Sequence, residues 1–258
     1  MAFLAPLRDC VVFNGLTFAA AGWHPFVATL RERADGAAGG YCGSLLETFF
    51  DRWQPTTAAQ ALIGIEPERG NALHSLPPYA PPLPWQAEPP NEWVTQVESI
   101  IHRQNREHGS PDLTIEAGFN HHGPVSSKKG ALEYQRLVRV FESLRCSGYD
   151  RSRGDVKVTV IRRKTALRYL VMSGHHRAAA AAVLKHERIP CVFGRPDLVS
   201  VDEVQYWPLV RSGVWTIDDA RAYVDHLFDF DAREWAREKN LPRPASGQRR
   251  ETGKRRKC

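Results

Sequence analysis

The stretch LRYLVMSGHHRAAAAAVLKHERIPCVF, residues 167–193, decides the fold. Leu167 to Met172 is an apolar run of strand composition, and Ser173 with Gly174 turns the chain. Ala178 to Leu184 has the strongest helix preference in the sequence, and Ile189 to Phe193 returns to strand composition around Pro190. Gly174, His175, His176 and Arg177 therefore sit where a strand passes into the first turn of a helix. Such a turn offers free N–H groups and about half a positive charge, which suits an anion. Gly174 permits close approach, and Arg177 adds a forked donor suited to phosphate oxygens.

Working outward, Asp155 to Arg163 alternates, with Val156, Val158 and Val160 separated by Lys157 and Thr159, and predicts a strand paired with the next one. Before it, Leu132, Leu137, Val140, Phe141 and Leu144 form one helical face that Gly148 stops, with Glu133, Arg136, Arg139 and Arg145 read as lying off that face. The order is helix, strand, strand, loop, helix, strand. With GHHR in its loop, this arrangement over about residues 119–195 resembles the ParB/sulfiredoxin superfamily. The resemblance implies an α/β (α+β) fold, a small mixed sheet with flanking helices. It also implies phosphate binding at Gly174, His176 and Arg177, with ATP or another nucleotide as cofactor and Mg2+ beside it.

Members of that superfamily include chromosome-partition CTP switches, sulfiredoxins and kinases of free serine. Sulfiredoxins carry a catalytic cysteine after the loop glycine, where this chain has His175, so sulfinyl chemistry lacks its nucleophile. Only 64 residues follow Gly194, too few for the DNA-binding and dimerisation modules of a partition protein.

A second polar loop, GFNHHGPVSSKKG at residues 118–130, leads into the helix of Leu132. Ser126 or Ser127 is placed to cap that helix. In the superfamily geometry this loop lies near GHHR. Lys128 or Lys129 would then neutralise phosphate while a histidine serves as base. The site expected from the sequence thus has His175, His122 and Lys128 in catalytic roles, with Gly174, His176, Arg177, Ser126 and Lys129 holding the nucleotide. A zinc site shared by His121/His122 and His175/His176 lacks the usual ligand spacing. Asp112, Glu116, Asp150 and Asp155 are the nearest carboxylates for a base or for magnesium, and none has a spacing that specifies a role.

The remaining sequence divides by composition. Residues 1–75 read as a small helical region, with short helices at Ala28 to Arg33 and Leu45 to Trp53 around a satellite core that holds Phe49, Phe50 and Trp53. Residues 76–92 are a proline-rich connector in which Tyr79 and Trp85 point to packing against a domain surface. Residues 93–232 form the main domain. It begins with a helix from Trp93 to Arg106 and ends in a helical cap, Asp202 to Trp207 and Thr216 to Phe230, anchored by Trp207 and Trp215.

Residues 233–258 read as a basic, largely disordered tail. It holds ten Lys/Arg against three Asp/Glu, leaving 25 against 26 in the rest, so the net charge of +6 belongs to the tail. DNA is a candidate partner through that tail.

The five cysteines, Cys10, Cys42, Cys146, Cys191 and Cys258, are odd in number and never form CxxC, which favours a reducing cytoplasm. No apolar run reaches membrane-spanning length, and Arg8 and Asp9 break the one stretch that mimics a signal peptide. WPLVRSGVW at residues 207–215 and HPFVATL at residues 24–30 resemble uncharacterised bacterial proteins associated with surface-polysaccharide biosynthesis. The function expected is a nucleotide-binding phosphotransferase or phosphohydrolase, such as a small-molecule or sugar kinase with a glycan-precursor acceptor. The alternative is a non-enzymatic nucleotide- or DNA-binding regulator.

Overall fold

The computed structural model describes residues 2–37, 39–67 and 71–241. Its elements begin with β1 (Ala2–Pro6), β2 (Cys10–Val11), α1 (Pro25–Ala34), α2 (Leu45–Arg52) and α3 (Ala58–Ala61). The proline-rich segment then leads to α4 (Pro90–Glu107), the small hairpin of β3 (Gly118–Phe119) and β4 (His122–Val125), and the long α5 (Ser127–Ser147). The chain continues through β5 (Val156–Arg163), β6 (Ala166–Ser173), α6 (His175–Val183) and β7 (Arg188–Ser200). It closes with α7 (Pro208–Arg211), α8 (Ile217–Asp229) and α9 (Ala232–Glu238).

The fold is mixed α/β, as the sequence predicts. One five-stranded sheet has the order β1-β7-β5-β6-β2. Its pairs β1/β7 and β5/β6 are antiparallel, and β5/β7 and β2/β6 are parallel. Side chains alternate across the strands, so the sheet covers two cores. Val156, Val158, Val171 and Cys191 face α1, α2, α5 and α6. Ile161, Leu170 and Val199 face the other layer, which contains Trp85, Trp215, Tyr223 and Leu227.

Two expectations need correction. Residues 1–75 are not a helical satellite, because β1 and β2 supply both edges of the main sheet. Phe26, Phe49, Phe50 and Trp53 belong to the same core as β5 and α6. Short strands with little alternation, such as AFLAP, carry almost no periodic signal, and pairing partners nearly two hundred residues away decide their state. Likewise, the segment from residue 233 does not start as a disordered tail. Asp231 caps α9 by accepting from the Arg233 and Glu234 amides, and Trp235, 6% exposed, packs on Trp23 and Trp53. The basic run from Pro242 onward lies outside the described residues.

Residues 76–89 of the proline-rich segment have no helix or strand and are built into the second core through Leu83 and Trp85, with Trp215 donating its indole N–H to the Pro82 carbonyl at 3.0 Å, whereas the last three residues of the expected connector, from Pro90, already belong to α4. In the helical cap, Thr216 caps α8 as its sequence implies, whereas Val201 to Tyr206 forms a 3-10 turn instead of an α-helix.

Candidate functional site

β6 delivers the GHHR loop to the sheet edge of a cavity, and Gly174 makes the turn. Gly174 is the N-cap of α6 with φ 91°, where a Cβ would stand 3.1 Å from a Val156 methyl and 3.3 Å from Arg177. No side chain caps α6, so the first-turn amides of His175, His176 and Arg177 are left for another partner. The cavity above them has a volume of about 480 Å³. α5 contributes Arg136, Arg139 and Ser143, the loop before β5 contributes Tyr149 and Arg153, and α4 contributes Trp93, Ile100 and Gln104, with His108 at its C-cap. Phe13, Phe26, Tyr79 and Phe119 complete an aromatic wall.

The buried centre beside this cavity is an ionic cluster on α5. Lys129 and Glu133, both 0% exposed, lie one turn apart, with Nζ 2.8 Å from Glu133 Oε1 and 2.7 Å from Asn105 Oδ1 of α4. Arg136 reaches the same Oε1 at 2.7 Å. Glu133 Oε2 stands 3.4 Å from Nε2 of His176, whose side chain is 12% exposed. The nearby His176 and the charges of Arg136 and Lys129 outweigh burial and hold the Glu133 carboxyl far below its ordinary range.

His121, His175 and His176 line the cavity, and His24 packs behind them on Phe26. The His121 and His175 rings are 4.5 Å apart, and His176 lies 4.9 Å from Phe26. His24 caps α1 by accepting the Phe26 N–H at Nδ1 and stacks on Phe18 at 4.4 Å. Burial is the main cause of every shift, and it lowers His24, His121 and His176 and brings His175 down to about 4. Contact with Glu133 works against that fall for His176. Burial thus favours the neutral form of all four imidazoles.

Of the residues predicted from sequence, Gly174, His175, His176 and Arg177 all line the cavity. Arg177, however, spends its guanidinium on the carbonyls of Arg153 and Gly154, so it braces the loop before β5. Ser126 is the α5 cap, accepting from the Lys129 amide at 3.2 Å. Lys129 faces inward to Glu133, so its expected role at phosphate is corrected to a buried ion pair. Lys128 is 60% exposed, pairs with Asp112 and is not a cavity residue. His122 is turned away from the cavity, bonding the Gly123 carbonyl at 2.8 Å and packing on Trp53. Its neighbour His121, in the turn between β3 and β4, takes the cavity position.

The sequence reading missed Glu133, His24 and the aromatic wall. Glu133 was legible, since it falls four and eight residues before Leu137 and Phe141 on the buried face of α5. His24 had only its place before Pro25 at a helix start, and the wall is assembled from segments too distant for any local pattern.

Magnesium does not fit the donor set. Among the described residues no group of three or more His, Cys, Asp or Glu is arranged to hold a metal. Asp150 lines the cavity but pairs with Arg153 at 3.3 Å, and Asp155 pairs with Arg151. Asp112 pairs with Lys128, and Glu116 accepts from Thr114. A hard cation with its preference for oxygen ligands finds arginines and imidazoles instead. Family models, curated proteins and solved structures show no match to the chain. No helix among the described residues is long and apolar enough to cross a membrane.

Proposed function

We propose that the cavity binds a nucleotide or closely related phosphorylated small molecule and transfers or hydrolyses its phosphate. The observation that carries this reading is the composition of one cavity of about 480 Å³, in the usual size range of ligand sites. It has an uncapped helix N-terminus and Arg136, Arg139 and Arg153 among its polar groups, and an aromatic wall besides. The resemblance to ParB/sulfiredoxin proteins, with a phosphate loop at the same turn, supports the nucleotide. The second resemblance supports a glycan precursor as acceptor, and the buried free thiols of Cys10 and Cys191 are in keeping with a reducing cytoplasm.

In this reading the α6 amides and Arg139 hold the phosphates. Arg139 has no hydrogen bond or ion pair to any described residue, so its charge is available to a ligand. His176 is the base, with the Glu133 carboxylate 3.4 Å from its Nε2 to stabilise the imidazolium that forms. The base takes the proton of an attacking hydroxyl or water as the new O–P bond forms. The bond to the leaving phosphate breaks, and the arginines take up its charge. His175, brought down to about 4, is a weaker base and serves as a neutral hydrogen-bonding wall.

The test is calorimetry of the full chain with ATP, ADP, CTP and GTP, with and without magnesium, alongside phosphate release. Binding that weakens at least tenfold in Arg139→Ala, with turnover lost in His176→Gln, is the expected result. Binding without turnover selects the regulator reading, which the poor magnesium donor set favours. Absence of binding for every nucleotide refutes the proposal.

A further inference from the structure

Formal charge is confined to one part of the cavity. Its charged lining residues, Arg136, Arg139, Asp150, Arg153 and Arg177, come from α5, the loop before β5 and α6. None comes from the proline-rich segment, α4 or the β3–β4 hairpin, which line the rest. Along α4, Trp93, Val97, Ile100 and Ile101 repeat at helical spacing, so an apolar strip follows the helix for about 12 Å. Val97 and Ile101 pack with Tyr79, Trp93 and Phe119 in one cluster. The apolar part joins the GHHR loop through His121, whose ring is 5.2 Å from Phe119 and 4.5 Å from His175.

The polar atoms of the apolar part are taken or closed off. The Tyr79 hydroxyl donates to Glu98 at 2.6 Å, and Trp93 Nε1, Gln104 Oε1 and Asn120 Oδ1 are sealed from water. A ligand group seated there gives up its hydrogen bonds to water and finds few in return. A sugar, with a hydroxyl on most of its carbons, pays that penalty many times over. A hydrocarbon body has none to lose and gains with every unit of apolar area removed from water.

We infer that the phosphate ester this cavity makes or consumes is the ester of an apolar alcohol. The inference rests on the phosphate chemistry proposed above and narrows its acceptor from glycan precursors at large to an alcohol with an apolar body. The body lies along α4, and its oxygen reaches the histidines. In transfer, that oxygen forms the new O–P bond and its proton passes to His176, while the O–P bond to the nucleotide breaks and leaves its electron pair on the departing nucleotide. In hydrolysis, water attacks and gives its proton to His176, which returns it to the departing alcohol oxygen.

The experiment compares geranyl phosphate, glucose-1-phosphate and inorganic phosphate by calorimetry on the full chain, on Ile100→Asn and on Val97→Asn. Both esters present the same phosphate, so a difference between them reads the organic part. Geranyl phosphate is expected to bind roughly tenfold or more tightly than glucose-1-phosphate. Ile100→Asn, at a half-buried position, should reduce that preference and leave the affinity for inorganic phosphate unchanged. Equal affinities of the wild type for the two esters overturn the inference without any variant having to fold, as does a preference undiminished in both variants. Either result leaves nucleotide binding standing. Geranyl phosphate bound with no nucleotide bound refutes the nucleotide and keeps the apolar ester. Failure of every ester, of inorganic phosphate and of every nucleotide to bind removes both proposals together.

Discussion

Lys129→Met tests the centre of the structure most directly. The substitution keeps the length of the side chain and its helix preference, and it removes one cation from a cluster that excludes water. Glu133 loses the partner at 2.8 Å, and the Asn105 carbonyl oxygen loses its donor at 2.7 Å. Removing one member of a buried ion pair costs about 3–5 kcal/mol. Arg136 remains on Glu133 Oε1 at 2.7 Å, which places the expected loss near the lower end, about 3 kcal/mol. In a chain of this size that corresponds to a fall in Tm of about 6–12 °C. Urea unfolding followed by circular dichroism measures it. Adding Glu133→Gln removes the stranded charge, so the double variant should be more stable than Lys129→Met alone. A loss under 1 kcal/mol, or a double variant no better than the single, refutes the assignment of Lys129 to a buried pair. Lys129 would then be free for the phosphate role its sequence position suggested.

Two further outcomes follow from the geometry. His175 is depressed in the folded chain from 6.5 to about 4, so the unfolded state binds the extra proton between these values. Its contribution to stability is complete above pH 6.5 and falls away as the pH drops toward 4, by about 3 kcal/mol for this group. Urea melts at pH 7 and pH 4.5 read the loss, and His175→Gln should flatten it; an unchanged slope in the variant counts against the burial of His175. At the other end of the chain, Trp235→Ala should cost about 3–5 kcal/mol in the same assay, because Trp235 packs on Trp23 and Trp53. A cost under 1 kcal/mol would return α9 to the disordered tail of the sequence reading.

What the sequence disclosed was local. Ser126 before Leu132, Gly148 after Leu144 and the alternation of Val156, Val158 and Val160 are signals read within a few residues, and α5 and β5 stand where those signals put them. The GHHR turn was legible for the same reason. β1 failed because its strand state comes from pairing Ala2 to Pro6 with Arg188 to Val192. The site split along the same line. His175, His176 and Gly174 came from one tetrapeptide and were found, whereas their partners Glu133, His24 and Phe26 come from α5 and α1. Choosing His122 over His121 was a matter of one residue at the join of a turn and a four-residue strand, which local composition does not resolve.

The same geometry separates two tasks that a sequence of histidines and lysines seems to merge. His24, His121, His175 and His176 lie together, each pushed toward the neutral form by burial, and protonated neighbours among them push further. Burial of four imidazoles together works against their serving as counterions. Charge for an anion has to come from the rim, where Arg139 and Arg153 are largely solvated and cost little to keep. The single carboxylate in the centre, Glu133, is already matched by Lys129 and Arg136, and its remaining oxygen stands 3.4 Å from His176 Nε2. Glu133 opposes the burial shift of His121, His175 and His176, and among these His176 is the one within 3.4 Å of its carboxylate, which is why the proposed mechanism assigns the proton acceptor there.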